Sequence, residues 1–265
     1  MSLAAKKSLG QNFLKSKSAI NAMISAPGIN QDDTVIEIGP GKGALTRPLL
    51  ETGATVIAFE LDQRMVEYLE QELSEYVQSG KLVLHHQDVI EADIVAATNN
   101  RPYKIVANIP YYITNLIIRH FLSHIHQPTD MCLLIQKEVA ERIVSRDSKE
   151  SILSLSVKLF GTPKYITKVA RQYFSPSPRV DSAIINVSQI GRHNISDPDF
   201  ESLFFTIVKT AFGQKRKQAI KNLLKIDLRE KWESIFSECG IPANARAEDI
   251  SFGDWLQITR RYQSM

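Results

Sequence analysis

Between residues 33 and 136, short apolar stretches alternate with stretches of helical periodicity, and this alternation constrains the fold more than any other feature. The spacing predicts five strands separated by helices, at residues 34–38, 55–59, 82–85, 105–107 and 131–135. Strands joined through helices pair in parallel, because each crossover returns the chain to the same edge of the sheet. The sequence therefore predicts an α/β domain whose parallel sheet is covered by helices on both faces.

The rest of the chain predicts a division into two domains. Helices are expected from about residue 44, over 62–77 and over 137–160. An antiparallel pair of strands is expected around the proline-rich bend 175–178, at residues 165–170 and 182–187. The composition changes at 191–198, and the periodicity from 199 to 263 is helical. We therefore predict a catalytic domain over residues 1–190 and a small helical domain over residues 191–265.

Composition argues against a membrane protein, a secreted protein or a metal site. The longest apolar runs fall far short of the roughly 20 residues that a membrane-spanning helix needs, and no secretory signal is evident. Cys132 and Cys239 are typical of reduced thiols. The histidines at positions 120, 124 and 126 lack the acidic or cysteine partners of a metal site. We expect a cytoplasmic protein with no bound metal.

A glycine-rich turn at residues 39–43 follows the first predicted strand and precedes a helix. Glycine lets the backbone approach a ligand closely in this setting, although such turns also occur in dinucleotide-binding proteins. Glu37 can meet a cationic amino group or a water network. Glu60 and Asp88 end the next two strands, where they can accept hydrogen bonds from ribose hydroxyls and an adenine amine. A helix N-terminal acid and a cap are the alternatives for these two residues, but together the positions favour S-adenosylmethionine.

The tetrapeptide Asn108-Ile109-Pro110-Tyr111 ends the fourth predicted strand and indicates a specific reaction. An exocyclic amine of a nucleic-acid base is a poor nucleophile, because its lone pair is delocalised into the ring. The amide oxygen of Asn108 and the carbonyl of Ile109 can accept its two protons and hold the nitrogen in line with a methyl donor. Pro110 fixes its own φ and lacks a donor, and Tyr111 offers a ring for stacking. This pattern predicts methyl transfer from S-adenosylmethionine to a base amine.

Basic residues cluster in the C-terminal part, although the net charge of the whole chain is only +3. Residues 209–231 carry eight lysines and arginines against two acids, and residues 163–179 carry four with none. Such clustering is typical of a surface that binds phosphates, and a solvated helix face is the alternative. The RNA-binding candidates within the cluster are Lys215, Arg216, Lys217 and Lys221.

Six segments of the chain resemble the ribosomal RNA adenine dimethyltransferases. They are residues 8–14, 37–43, 108–111, 174–182, 211–217 and 246–250. The resemblance runs over essentially the whole chain. It implies a Rossmann-like class I S-adenosylmethionine-dependent methyltransferase domain followed by a small helical domain. It also implies that the helical domain contacts the rRNA backbone.

The resemblance assigns roles to individual positions. The cofactor would be held by Asn12, Leu14, Gly39, Glu60, Asp88 and Asn108. Phe174 would stack on the target adenine opposite Tyr111. Core packing is the alternative for a phenylalanine, and the neighbouring proline-rich bend makes that alternative less favoured for Phe174. The implied substrate is the small ribosomal subunit, whose 16S rRNA would be dimethylated on N6 of two adjacent adenosines in the 3′-terminal hairpin loop. A role in small-subunit biogenesis is implied as well.

Three other functions are compatible with parts of this pattern. An Erm-type enzyme shares the core motifs but dimethylates one adenosine of large-subunit rRNA; the segments 9–12, 212–217 and 246–250 favour the small-subunit enzyme. A binding protein that acts in ribosome assembly or transcription, with methylation secondary, is the second alternative. A DNA adenine methyltransferase is the third, although no separate domain for reading a DNA sequence is evident.

Overall fold

The chain folds into two compact units in a computed structural model that describes residues 4–6, 9–214 and 216–265. The first unit comprises residues 1–140 and 161–191, and the second comprises residues 141–160 and 192–265. Among the residues so described, no helix combines the length and the apolarity that crossing a membrane requires.

A seven-stranded mixed sheet forms the centre of the first unit. Its strands are β2 Thr34–Ile38, β3 Thr55–Glu60, β4 Leu82–His86, β5 Lys104–Asn108, β6 Asp130–Gln136, β7 Thr162–Val169 and β9 Ser182–Ser188. Across the sheet they lie in the order β4-β3-β2-β5-β6-β9-β7. The first five of these pair in parallel, whereas β9 is antiparallel to both β6 and β7. The five predicted strands and the predicted antiparallel pair are thus confirmed, with ends that shift by up to three residues.

Both faces of this sheet are buried. Val35 and Ile36 are consecutive in β2 and point to opposite faces, and both are fully shielded from solvent, as are Ile105 and Val106 in β5. Val35, Val56 and Val106 share one apolar cluster with side chains of the preceding and following helices. Strands that are apolar on both faces require such cover, which explains their near-continuous hydrophobic composition.

The helices of the first unit connect these strands. They are α1 Lys17–Ser25, α2 Thr46–Glu51, α3 Gln63–Glu72, α4 Ser74–Gln78, α5 Ile94–Ala97 and α6 Thr114–Ser123. The single helix predicted over 62–77 is interrupted at Leu73, whose φ of −122° and ψ of 29° are not helical. Leu73 is nevertheless buried in the apolar cluster. Because Leu73 is buried, it fits the apolar spacing of one continuous helix, and only its backbone angles show that the helix is interrupted there.

A two-stranded sheet in the first unit was not expected from the sequence. It pairs β1 Phe13–Leu14 with β8 Phe174–Ser175 in antiparallel fashion. Each strand has only two residues, too few to show a period, and the partners are about 160 positions apart in the chain. The pairing brings the N-terminal segment next to the proline-rich bend.

The second unit contains the remaining helices. The helix α7 Lys137–Ile143 crosses the division between the units, and α8 Ile152–Phe160, α9 Pro198–Ala211, α10 Ala219–Leu223, α11 Arg229–Glu238 and α12 Phe252–Ser264 follow. Their core includes Phe200, Phe204, Trp232 and Trp255, all fully buried. The helix predicted over 137–160 is broken between α7 and α8, where Ser145 and Ser148 have positive φ.

Residues 141–160 group with the C-terminal helices, whereas the sequence-based division at 190/191 left them in the first domain. Long-range contacts account for this grouping. The Lys149 ammonium lies 2.6 Å from a Glu248 carboxylate oxygen, and the Glu150 N–H donates to the Glu248 carbonyl at 2.7 Å. These partners are almost a hundred positions apart, so the local periodicity of the sequence could not predict the contacts.

Candidate active site

A cleft opens at the carboxyl ends of four adjacent parallel strands, β4, β3, β2 and β5. It is lined by residues 9–14, 37–42, 44–45, 59–61, 87–89 and 108–113. The chain order reverses between β2 and β5, because β3 lies on the other side of β2. Ligands of open α/β sheets bind at such switch points. Among the predicted site residues, Asn12, Leu14, Gly39, Glu60, Asp88 and 108–111 all line this cleft.

The glycine turn forms the floor of the cleft, and two of its glycines serve different purposes. Gly39 has a φ of +67°, and a Cβ placed on it would meet no atom within 4 Å, so it faces open space. Gly41 has a φ of +56°, and a Cβ there would lie 2.9 Å from Cε1 of Phe13. Gly41 is therefore needed for the packing of the Phe13 ring as well as for the turn. The Lys42 ammonium lies 5.0 Å from the centre of that ring.

Glu60 joins the end of β3 to the glycine turn. Its Oε2 accepts from the Gly41 N–H at 3.0 Å, and its Oε1 accepts from the Asp62 N–H at 2.9 Å. Burial raises the pKa of this carboxyl above its usual range, and the backbone donors partly oppose that shift. A carboxylate has about four acceptor sites, so Glu60 retains capacity for ribose hydroxyls while holding the turn.

Glu37, the other buried acid of the cleft, is 2% exposed, and its Oε2 has no hydrogen-bond partner within the described chain. Burial raises the pKa of Glu37 from 4.5 to about 8, and the nearby Glu60 carboxylate adds to the shift. A buried acceptor without a partner is costly unless a ligand or water satisfies it. A cationic amino group such as that of S-adenosylmethionine fits this requirement.

Asn108 ends β5 with its side-chain amide fixed in one orientation. Its Nδ2 donates to the carbonyl of Asn12 at 3.0 Å, and Asn12 in turn donates from Nδ2 to the carbonyl of Gly10 at 3.1 Å. The Nδ2 of Asn108 is thus occupied by the N-terminal segment, which leaves Oδ1 as the atom of this amide that can accept a hydrogen bond.

Tyr111 is half-buried at the cleft, and its hydroxyl lies 2.7 Å from Oγ of Ser182 in β9. Burial raises the pKa of the Tyr111 phenol, so the ring stays neutral at physiological pH. Ser182 is fully buried and fixes one end of the ring. The sequence analysis assigned no role to Ser182. Its hydrogen bond depends on the pairing of distant strands, and only its position in segment 174–182 could have drawn attention to it.

The structure differs from the sequence-based expectation for Phe174. Its side chain is 4% exposed and belongs to the apolar cluster of the first unit, together with Leu14. It is not among the residues that line the cleft. The reason is the β1–β8 pairing, which sets Leu14 opposite Phe174 and covers the ring. The expectation that this phenylalanine escapes core packing is therefore wrong for the structure as it stands.

Asp88 and Asp62 complete the acidic groups around the cleft. Asp88 accepts from the Ile90 N–H at 3.0 Å, so the capping interpretation holds alongside its place on the cleft wall. The Asp62 carboxylate is fully buried and lies 3.0 Å from the Lys6 ammonium and 2.6 Å from the Arg64 guanidinium. Gln11 also donates to it, at 3.4 Å. We call these contacts of Asp62 with Lys6, Gln11 and Arg64 the Asp62 clasp. No local sequence pattern predicts it, because Lys6 and Asp62 are 56 positions apart.

Three of the C-terminal basic candidates are described by the structure: Arg216 and Lys217 lie in the loop between α9 and α10, and Lys221 lies in α10. Arg216, Lys217 and Lys221 are exposed, and Lys215 lies outside the described residues. The loop is anchored by buried Asn222, whose Nδ2 donates to the carbonyls of Ala211 at 2.6 Å and Gln214 at 3.2 Å. No group of three or more histidine, cysteine or acidic side chains in the described chain could hold a metal ion.

The sheet order, the glycine turn, the acids at successive strand ends and the Asn-Ile-Pro-Tyr segment define a class I S-adenosylmethionine-dependent methyltransferase. The sequence model of the family described as "Ribosomal RNA adenine dimethylase" matches residues 2–264. The chain therefore belongs to the ribosomal RNA adenine dimethylase family, and it is an S-adenosylmethionine-dependent rRNA adenine dimethyltransferase.

Curated relatives match along almost the whole chain. "Ribosomal RNA small subunit methyltransferase A" of Dehalococcoides mccartyi (strain CBDB1) is 35% identical over 268 residues, which cover 98% of this chain and 89% of the relative. The protein of the same name from Fusobacterium nucleatum is 35% identical over 266 residues and covers 99% of both chains. The matches include both the residues that line the cleft and the helical C-terminal region.

Two solved structures share the fold. The crystal structure of the 23S rRNA methyltransferase ErmE superposes with a TM-score of 0.81 at 24% identity and covers 95% of this chain and all of the other. A dimethyladenosine transferase from Plasmodium falciparum superposes with a TM-score of 0.79 at 23% identity and covers 95% of this chain and 98% of the other. At this level of identity the likeness concerns the fold, not the substrate.

Proposed function

We propose that this protein dimethylates N6 of two adjacent adenosines in the 3′-terminal hairpin loop of small-subunit (16S) rRNA, with a role in small-subunit biogenesis. The observation that carries the proposal is the match of about 35% identity, over nearly the whole chain, to proteins named for small-subunit methylation. The helical C-terminal segments take part in that match. The bacterial source of these relatives supports the cytoplasm as the site of action.

Positioning is the main contribution of the protein to the reaction. Bound S-adenosylmethionine supplies a methyl group on a sulfonium sulfur. Asn108 Oδ1 and the Ile109 carbonyl accept the two N6 protons and hold the amine lone pair towards that methyl group. Once the C–N bond has formed and the C–S bond has broken, the nitrogen is strongly acidic, and its proton leaves to water or through Asn108. No dedicated general base is required.

The second methylation places a further demand on the same residues. N6-methyladenosine has a single N–H, so only one of the two acceptors can bind that proton. The methyl group already on N6 must also fit into the cleft. Tyr111, fixed by Ser182, provides one face for stacking the purine. Stacking by Phe174 on the opposite face remains a prediction, and it requires the ring to be uncovered when RNA binds, since it is buried here.

Binding of the cofactor would depend on residues from five segments, one of which contributes Asn108. Glu60 and Asp88 would accept from the ribose hydroxyls and the adenine amine, while Gly39 would give the backbone room to approach. Asn12 and Leu14 would cover the methionine end from the N-terminal segment. Arg216, Lys217 and Lys221, together with Lys215, would contact rRNA phosphates and supply affinity rather than base choice.

The test is methyl transfer from labelled S-adenosylmethionine to unmodified small subunits, unmodified large subunits and a DNA control, with the modified bases mapped. We expect label in small subunits alone, as N6,N6-dimethyladenosine at two neighbouring positions. Label in large-subunit RNA would replace the proposal with an Erm-type activity. Binding to small subunits with no label in any substrate would identify an assembly factor that lacks the chemistry.

A further inference from the structure

An exposed aromatic ring stands at the mouth of the cleft beside the catalytic segment. Tyr112 follows Tyr111 and also lines the cleft, but its side chain is 66% exposed, whereas Tyr111 is half-buried. Tyr112 is not among the residues proposed to bind the cofactor, and it is not part of the pair, Asn108 and the Ile109 carbonyl, proposed to bind the amine. A large flat side chain is therefore presented to solvent next to the position that the target base must occupy.

The N-terminal segment packs against one side of the Tyr112 ring. Gly10 has a φ of +62°, and a Cβ placed on it would lie 3.2 Å from Cε1 of Tyr112 and 3.3 Å from Cβ of Pro110. The backbone of Gly10 thus lies against one edge of the ring, and the absence of a side chain at position 10 makes this contact possible. An aromatic ring that is ordered before binding loses little conformational entropy when a base stacks on it.

The exposed face of α6 continues from Tyr112. Asn115 and Leu116 precede Arg119 by four and three residues, so these three exposed residues lie on one side of α6. Tyr112 lies in the 3₁₀ turn Tyr111–Ile113 directly before this helix. Leu116 is 51% exposed. Ile117, Ile118 and other apolar residues of α6 are buried on the opposite side. We call these four exposed residues, Tyr112, Asn115, Leu116 and Arg119, the Tyr112 stripe.

We propose that the Tyr112 stripe binds the single-stranded RNA next to the target adenosine. Tyr112 stacks on the base adjacent to the flipped adenine, and Arg119 pairs with a phosphate further along the strand. An adenine that enters the cleft leaves its neighbour with an unstacked face, and an exposed aromatic ring at the cleft mouth is positioned to cover that face. The proposal rests on the rRNA substrate but not on which ribosomal subunit supplies it.

The dimensions and chemistry of the stripe suit a nucleic-acid strand. Arg119 lies about one helical turn, roughly 6 Å, beyond Asn115 along α6, so its guanidinium is within reach of a phosphate near the stacked base. The stripe combines a ring for a base, an apolar side chain and a guanidinium, which is the combination that single-stranded nucleic-acid sites use. A protein bound to this face would cover the entrance of the cleft and would have to leave before the substrate could enter. RNA is therefore the favoured occupant of the stripe.

The test uses the full-length protein with Tyr112→Ala, Tyr112→Leu and Tyr112→Phe. Its substrates are unmodified ribosomal subunits and an RNA oligonucleotide that carries 2-aminopurine beside the target adenosine. We expect Tyr112→Ala to weaken RNA binding between about 5-fold and about 150-fold, the range of one stacked base. Cofactor affinity should not change. Tyr112→Phe should retain RNA affinity and the quenching of 2-aminopurine, whereas Tyr112→Leu should lose both, because leucine has no flat ring.

Tyr173→Ala is the matched control, because Tyr173 is a 45% exposed tyrosine of the same unit that does not line the cleft. Equal RNA affinity in Tyr112→Leu and the wild type would overturn stacking. An equal loss of cofactor affinity in Tyr112→Ala would instead make Tyr112 a support for the N-terminal segment. If Tyr112→Ala bound RNA as tightly as the wild type but lost affinity for a protein component of the subunit, the stripe would be a protein-binding surface. If large-subunit RNA proved to be the substrate, the same variants would be compared on that RNA.

Discussion

At the scale of single residues, the proposed chemistry depends on the orientation of one amide group. The Asn108 Nδ2 is occupied by the carbonyl of Asn12, so the Oδ1 is the atom left to receive a substrate proton. A flipped amide would present a donor to an amine that needs an acceptor. Under the proposed mechanism, the N-terminal segment supports the reaction by fixing the Asn108 amide.

Replacing Asn108 by alanine should remove that acceptor and leave the rest of the cleft in place. We expect turnover of Asn108→Ala to fall by at least about 100-fold, the scale of losing one preorganised hydrogen-bonding group. Cofactor affinity should fall only modestly, because Glu60 and the glycine turn do not depend on this side chain. Single-turnover methylation and cofactor titration measure the two effects, and a near-normal methylation rate would remove Asn108 from its assigned role.

Glu37 should make the stability of the first unit depend on pH. Its pKa is raised to about 8 in the folded protein, against 4.5 when it is freely solvated. Between these values the folded state keeps a proton that the unfolded state has lost, so stability falls as pH rises. The fall is at most about 1.4 kcal/mol per pH unit, and it is complete above pH 8.

The variant Glu37→Gln should lack this component, since glutamine does not titrate. Urea unfolding at several pH values from 4.5 to 8.5 would show a flatter dependence than in the wild type. Glu75→Gln is the control, because Glu75 is an exposed carboxyl of the same unit. If the wild type and Glu37→Gln showed parallel pH profiles, Glu37 would be ionised in the folded protein.

At the scale of elements, the N-terminal segment is held over the cleft at two places. One is the β1–β8 pairing, which is extended by the Lys15 N–H bonded to the Tyr173 carbonyl at 2.8 Å. The other is the Asp62 clasp with Lys6 and Arg64. The hydrogen bond from Arg64, followed by that from Lys6, holds the pKa of the Asp62 carboxyl far below its usual range, despite burial. Its contribution is therefore present at neutral pH and is lost only in strong acid.

The variant Asp62→Asn should release the N-terminal end of this segment, because the neutral amide no longer attracts the two cations. We expect faster amide hydrogen exchange over residues 9–14 and a several-fold weaker affinity for S-adenosylmethionine. Asp33→Asn is the matched control, since it breaks the 2.9 Å ion pair with Lys104 and does not involve this segment. Equal exchange rates in the wild type and Asp62→Asn would mean that the β1–β8 pairing alone holds the segment.

At the scale of the whole molecule, positive charge is concentrated rather than abundant. A net charge of +3 spread evenly would attract RNA weakly, but residues 209–231 contain eight basic residues and two acidic ones. Some of these charges are used within the fold, because Lys231 pairs with Asp227 at 3.1 Å and Arg229 pairs with Glu233 at 3.1 Å. Arg216 and Lys217 are exposed in the loop anchored by Asn222.

Charge reversal of Arg216 and Lys217 to glutamate should weaken binding to ribosomal subunits. Each lost phosphate contact lowers the slope of log affinity against log salt by about 0.7 to 0.9, so the double variant should have a visibly shallower slope. Affinity for S-adenosylmethionine should be unchanged. Arg229→Glu serves as the control, because this arginine is already paired within its helix. A parallel loss of cofactor affinity in the double variant would make the loop structural.

Local sequence was sufficient for the central sheet and for the positions of the cleft residues. Strand and helix periods extend over a few residues, and a glycine turn after a strand needs no distant partner, so the strand ends at Ile38, Glu60 and Asn108 could be anticipated. Parallel pairing then brings those ends to one edge. For this reason Glu60, Asp88 and Asn108 line a common cleft, as the sequence indicated.

Only the tertiary structure decided the features that depend on partners far apart in the chain. The burial of Phe174 follows from its pairing with Leu14, the Asp62 clasp joins residues 56 positions apart, and the Tyr111–Ser182 contact spans 71. The grouping of residues 141–160 with the C-terminal helices is of the same kind. Sequence periodicity reflects interactions between residues that are close together in the chain. The contacts described above form only when folding brings distant segments together, so no local pattern predicts them.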